Sequence, residues 1–130
     1  MPSPSSKRRI LVVDDEKDVT VALKVGLEHG GFDVDTFTDP SLALKSFKLN
    51  FYDLVLIDIV MADIDGFELY ERLKKMDPDV NVCFLTASEM YHEEFRKAEH
   101  CALNKDLFLQ KPISLDDLIM EVNRKINSTY

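Results

Sequence analysis

Apolar residues along this chain fall into two patterns that alternate from one end to the other. The first is a short continuous run, found at residues 10–13, 54–57, 80–85 and 107–109. A strand buried on both faces appears in sequence as such a run. A further strand is expected at 32–37, where alternation puts Phe32, Val34 and Thr36 on one side. The second pattern recurs at helical spacing, in Val19, Leu23 and Leu27, in Ala43, Leu44 and Phe47, and in Phe67, Tyr70 and Leu73. It returns in Phe95 and Ala98 within 91–102, and in Leu118, Ile119, Val122 and Ile126. Punctuation agrees with this division. Gly30-Gly31 stops the first helix, and Asp39-Pro40 supplies an N-cap and a first-position proline for the second. The third helix follows Gly66 and is closed by Asp77-Pro78, while Ser114 with Asp117 three residues later resembles a capping box. Five strands alternating with five helices predict a single α/β domain with a parallel sheet covered on both faces.

What the runs end in changes the picture. ILVVDD ends at Asp14 and Asp15, DLVLID at Asp58, VCFLTA has Thr86 just past its apolar stretch, and LFLQKP leads to Lys111. Ligands of open α/β sheets bind outside the carboxyl ends of the strands. The order therefore sets three carboxylates, a hydroxyl and an ammonium around one crevice. A carboxylate in that position can attack phosphorus and carry an acyl phosphate, and Asp58 is the candidate. Three neighbouring carboxylates repel one another unless a hard cation joins them, which points to Mg²⁺ (or Mn²⁺). Asp15 and Asp58 are expected as direct ligands, with Asp14 acting largely through water. Lys111 can pair with Asp58 and then with a phosphoryl oxygen, and Thr86 offers a hydroxyl donor. Taken singly, an acid pair after a strand is a helix cap, a threonine a turn residue and a lysine surface solvation. Their joint order favours chemistry.

Composition narrows the class further. With 130 residues, 45% of them apolar, the chain is long enough for one proper core and too apolar for disorder. A net charge of −8 opposes nucleic-acid binding through a broad basic face. Cys83 and Cys101 lack C-x-x-C spacing and read as thiols of a cytoplasmic protein, while His29, His92 and His100 form no ligand cluster. No stretch approaches the ~20 apolar residues of a membrane span. Residues 1–7 are expected to be a flexible arm, with one domain over 8–127 and no effector domain after it.

Over residues 8–127 the chain resembles a response-regulator receiver domain, similar in scope to the single-domain chemotaxis regulators. The resemblance rests on Asp14-Asp15, Asp58, Thr86-Ala87 and Lys111-Pro112 taken together. It implies a doubly wound, flavodoxin-like five-stranded sheet of order 2-1-3-4-5. It also implies a two-component function, in which a histidine kinase or histidine phosphotransfer protein phosphorylates Asp58 in a Mg²⁺-dependent step. Beyond accepting that group and slowly losing it, no enzymatic activity is expected. By the same resemblance the backbone carbonyl of Val60 is a third metal ligand, Thr86 and Phe108 form the switch, and Ala87 is the small neighbour of Thr86. Lys111-Pro112 is a candidate cis peptide bond. The surface of the fourth helix, fifth strand and fifth helix would then change to regulate a downstream protein or to form a weak homodimer. Two features depart from the family pattern: Ala62 stands where proline is common, and HCALNKD replaces the usual Gly-Ala before the fifth strand. Val60 cannot hydrogen-bond a hydrolytic water, so a long-lived phosphorylated state is expected. The alternatives are a Mg²⁺-dependent phosphatase or phosphotransferase acting on small molecules, whose D-x-D nucleophile motif is found at neither ILVVDD nor DLVLID, and an interaction module indifferent to phosphorylation.

Overall fold

The computed structural model describes residues 8–58, 66–86, 108–110 and 114–127. Strand β1 (Arg9–Val13) leads into helix α1 (Lys17–His29), then β2 (Asp33–Phe37) and α2 (Pro40–Ser46). β3 (Leu54–Asp58), α3 (Gly66–Met76), β4 (Val82–Thr86), β5 (Phe108–Gln110) and α4 (Leu115–Asn127) follow. The strands form one sheet of order β2-β1-β3-β4-β5, and every neighbouring pair is parallel. This is the expected doubly wound sheet. The helix expected at 91–102 lies outside the described residues.

Successive side chains of a strand point to opposite faces, so a continuous apolar run feeds two cores at once. On one face Leu11, Val13, Val55, Ile57, Val82 and Phe84 meet α2 and α3 through Ala43, Leu69 and Leu73. Ile10, Val12, Leu54, Leu56, Cys83 and Leu85 occupy the other face, against Leu27 of α1 and Leu118, Val122 and Ile126 of α4. All five residues of β3 are buried, as the central strand requires. β2 lies at the sheet's edge and alternates instead, with Val34 buried and Asp35 exposed. Its outer side is covered in part by Lys24, whose Nζ donates to the Val34 carbonyl at 2.9 Å. Removing any fully buried leucine of these rows would cost about 2–5 kcal/mol.

Local chemistry sets the element ends. Asp39 accepts a hydrogen bond from the Ser41 amide at 2.9 Å, with Pro40 at the first helical position. Ser114 Oγ accepts from the Asp117 amide at 3.2 Å, one half of a capping box, and opens α4. α1 ends in a Schellman motif: the Phe32 amide donates to the Leu27 carbonyl and the Gly31 amide to that of Glu28, both at 3.1 Å. Gly31 takes φ +97° there, a conformation that strains residues with a Cβ. Beside it, a Cβ on Gly30 would sit 2.9 Å from Ile119 Cδ1, so α1 and α4 approach closely at this point. β4 begins at Val82, two residues later than the apolar run suggests. Val80 is buried, but its amide donates to the Asp77 carbonyl in the preceding turn and is lost to the ladder. Phe84 anchors α3 edge-on, with ring centroids 5.3 Å from Phe67 and 5.4 Å from Tyr70.

Candidate functional site

Register brings two buried acids at strand ends side by side. Val13 of β1 pairs with Ile57 of β3, so the next residue of each strand, Asp14 and Asp58, falls at the same edge of the sheet. Both are buried, at 0% and 6% exposure. Two central strands and the helical layers around them remove these carboxylates from water, which is costly unless something else satisfies them. Asp58 is level with Leu85, and Thr86, the last residue of β4, is level with Gln110. Four strand ends thus converge on one edge.

The turn after β1 adds a third acid. The Asp14 amide donates to the Phe37 carbonyl at 3.1 Å, continuing the β1–β2 ladder by one bond. Asp14 Oδ1 accepts from the Glu16 amide at 3.0 Å, an Asx-type turn that swings the chain into α1. Glu16 is the N-cap of α1 by backbone, with its carbonyl accepting from the Val19 and Thr20 amides, yet its side chain makes no capping bond. Instead, carboxylate oxygens of Asp14, Glu16 and Asp58 all lie within 4.8 Å of one another. Asp15 is exposed beside them and is not a member of that group. Glu16 was missed in the residue pattern, although the triplet Asp14-Asp15-Glu16 carries the signal: glutamate is a poor choice for an N-cap.

An all-oxygen donor set of this size fits a hard divalent cation, and it lacks the nitrogen or sulfur ligands that zinc favours. The arrangement therefore suits Mg²⁺ beside two buried carboxylates. Val60, Ala87, Lys111 and Pro112, with the bond between the last two, lie outside the described residues, as does the 91–102 segment. Of Thr86 and Phe108 the structure describes the backbone: Phe108 pairs in register with Phe84, two residues before Thr86. Among the described residues no helix is long and apolar enough to cross a membrane.

Comparison with known proteins gives a consistent picture. The family model described as "Response regulator receiver domain" matches residues 10–123. The transcriptional regulatory protein PrrA of Mycobacterium tuberculosis is 39% identical over 114 residues, covering 88% of this chain and 48% of that protein. PhoP of Bacillus subtilis, the alkaline phosphatase synthesis transcriptional regulatory protein, is 33% identical over 93% of this chain and 48% of its own length. The chain spans about half the length of these curated relatives. Among solved structures, the response regulator TrrA of Thermotoga maritima in complex with Mg²⁺ and BeF is similar, with a TM-score of 0.74 and 32% identity. That match covers 91% of this chain and 98% of the other.

Proposed function

The chain belongs to the family of response regulator receiver domains, and on that premise we propose that it receives a phosphoryl group on Asp58 from a histidine kinase or histidine phosphotransfer protein. Domains of this family serve two-component signalling. The observation that carries the residue-level reading is the buried Asp58 carboxylate, with those of Asp14 and Glu16 within 4.8 Å.

In the proposed step an Asp58 carboxylate oxygen attacks phosphorus. The P–N bond of the phosphohistidine breaks as the P–O bond of an acyl phosphate forms. The departing imidazole keeps the bonding electron pair and takes up a proton. Return occurs when water attacks the acyl phosphate, restoring the carboxylate and releasing inorganic phosphate. Burial at the strand end orients Asp58 and limits the water that reaches it. Asp14, Glu16 and Asp58, together with Asp15 and the Val60 carbonyl that the family resemblance adds, would hold a divalent ion such as Mg²⁺, which when bound offsets the charge of the carboxylates and of the phosphoryl oxygens. Lys111 is assigned the counter-cation role, Thr86 the hydroxyl that moves toward the phosphoryl group, and Phe108 the ring that follows it. The outcome is a changed protein surface rather than a turned-over substrate. The surface of these 130 residues, with net charge −8, is better matched to a protein reader than to a phosphate backbone.

Incubation with acetyl phosphate and Mg²⁺, followed by intact-mass measurement, tests this reading. Wild type should gain one phosphoryl group and Asp58→Asn none. Sustained release of phosphate at many turnovers would favour a small-molecule phosphatase, and absence of modification in wild type would favour an inert module.

A further inference from the structure

Glu16 occupies a helix-capping position without capping the helix. Its amide is committed to Asp14 Oδ1 at 3.0 Å and its carbonyl to the first turn of α1. Its carboxylate makes no ion pair among the described residues and instead completes the group with Asp14 and Asp58. Asp14 and Asp58 are buried, whereas Glu16 is exposed. Of the three carboxylates it is the one open to solvent, and so to an approaching ion.

Resting on the reading of Asp58 as acceptor, we propose that Glu16 is a specificity-determining residue of the phosphorylation site: its carboxylate strengthens divalent-cation binding and its charge holds back small anionic phosphodonors. The two effects share one cause and oppose each other in rate. An added carboxylate attracts a cation, directly or through a bound water. The same charge repels an approaching acyl phosphate. A protein donor can compensate with cationic side chains of its own, and a free small molecule cannot. Glu16 would thus tilt the site toward protein donors and away from metabolic phosphoryl carriers.

The test pairs two measurements on the full chain. Isothermal titration with Mg²⁺ alone should show Glu16→Gln binding about tenfold more weakly than wild type. At saturating Mg²⁺, the same variant should be modified by acetyl phosphate about two- to fivefold faster. Glu16→Asp keeps the charge and should stay near wild type in both. Asp18→Asn removes an equal charge from the exposed first turn of α1, outside the acidic group, and should change neither. Wild-type Mg²⁺ affinity in Glu16→Gln, an unchanged acetyl phosphate rate, or Asp18→Asn matching Glu16→Gln would each overturn the proposal. Failure of wild type to be modified at Asp58 would instead overturn the acceptor assignment, and the Mg²⁺ titrations would still decide the cation part.

Discussion

Cys83 lies on β4 among the aliphatic side chains packed against α1 and α4, with 0% exposure. Burial pushes its thiol up to about 12 from an ordinary value of 9.0; Lys125 and Arg124 pull the other way, and Glu121 adds to the rise. The raised value has a definite consequence for stability. Above about pH 9 the unfolded chain gives up this proton while the folded chain keeps it, so stability falls as pH rises from there toward about 12. Tyr52, raised by burial and by its hydrogen bond to Asp35, acts in the same direction. Urea unfolding at about pH 8 and about pH 10 should show wild type losing more stability than Cys83→Ala over that interval. At the lower pH the variant should be less stable, by about 1–2 kcal/mol, because of the small cavity it opens. Equal losses in the two proteins would remove Cys83 from the account.

Among the helices, α1 and α2 begin in contrasting ways. α2 is short and relies on Asp39, whose carboxylate satisfies the Ser41 amide, and on Pro40. α1 is nearly twice as long, starts at Glu16, and has no side-chain cap. Its stability comes from Leu27 and the neighbouring core, and from its Schellman ending. Glu16→Ser should therefore stabilise the domain by about 0.5–1 kcal/mol, by supplying the missing cap. It should also weaken Mg²⁺ binding, as is expected of Glu16→Gln. Thermal unfolding without and with Mg²⁺ would show the variant ahead in the first case and the difference narrowing in the second. A loss of stability in metal-free buffer would mean that Glu16 supports the helix after all.

Taken as a whole, the molecule uses acids differently at the two ends of its sheet. At the amino ends of the strands, acids tie loops together. Asp77 is buried, and its two oxygens accept from the Asn50 amide at 3.1 Å and the Asp79 amide at 3.2 Å. This fastens the turn before β3 to the turn before β4, and Asn50 is held at φ 57°. Asp53 likewise accepts from the Arg9 amide at 2.8 Å and pairs with Arg8. At the carboxyl ends, Asp14, Glu16 and Asp58 are gathered close together, an arrangement that suits a ligand rather than the fold. Removing Asp77 should thus affect stability without touching phosphorylation. Asp77→Ala is expected to cost about 2–3 kcal/mol in urea unfolding, since it leaves two backbone amides unsatisfied. Its rate of modification by acetyl phosphate, measured well below its melting temperature, should equal that of wild type.

Much of this architecture was already written in the linear pattern. β1, β3 and β4 are buried on both faces, so each appears as an apolar run, and the position of a run's end is the position of a strand's end. For that reason the linear pattern alone places Asp14 and Asp58 at one sheet edge. The caps at Asp39 and Ser114 and the stop at Gly31 were legible because each depends on bonds within a few residues. Contacts that depend on a turn's direction or on distant segments were not. Val80 reads as strand, yet the turn after Asp77 takes its amide. Lys24 reads as a surface lysine, yet the helix carries it to the open edge of β2. Above all, the triplet Asp14-Asp15-Glu16 offers three carboxylates in a row, and spacing alone cannot choose among them. The choice is made by the bond from the Glu16 amide to Asp14, which sets the course of the chain into α1 and turns Glu16 toward Asp58. By itself the sequence determined the sheet, its layers and the edge where the chemistry lies, because those follow from local burial. Only the tertiary structure brought Glu16 beside Asp14 and Asp58, because that follows from how separate segments meet.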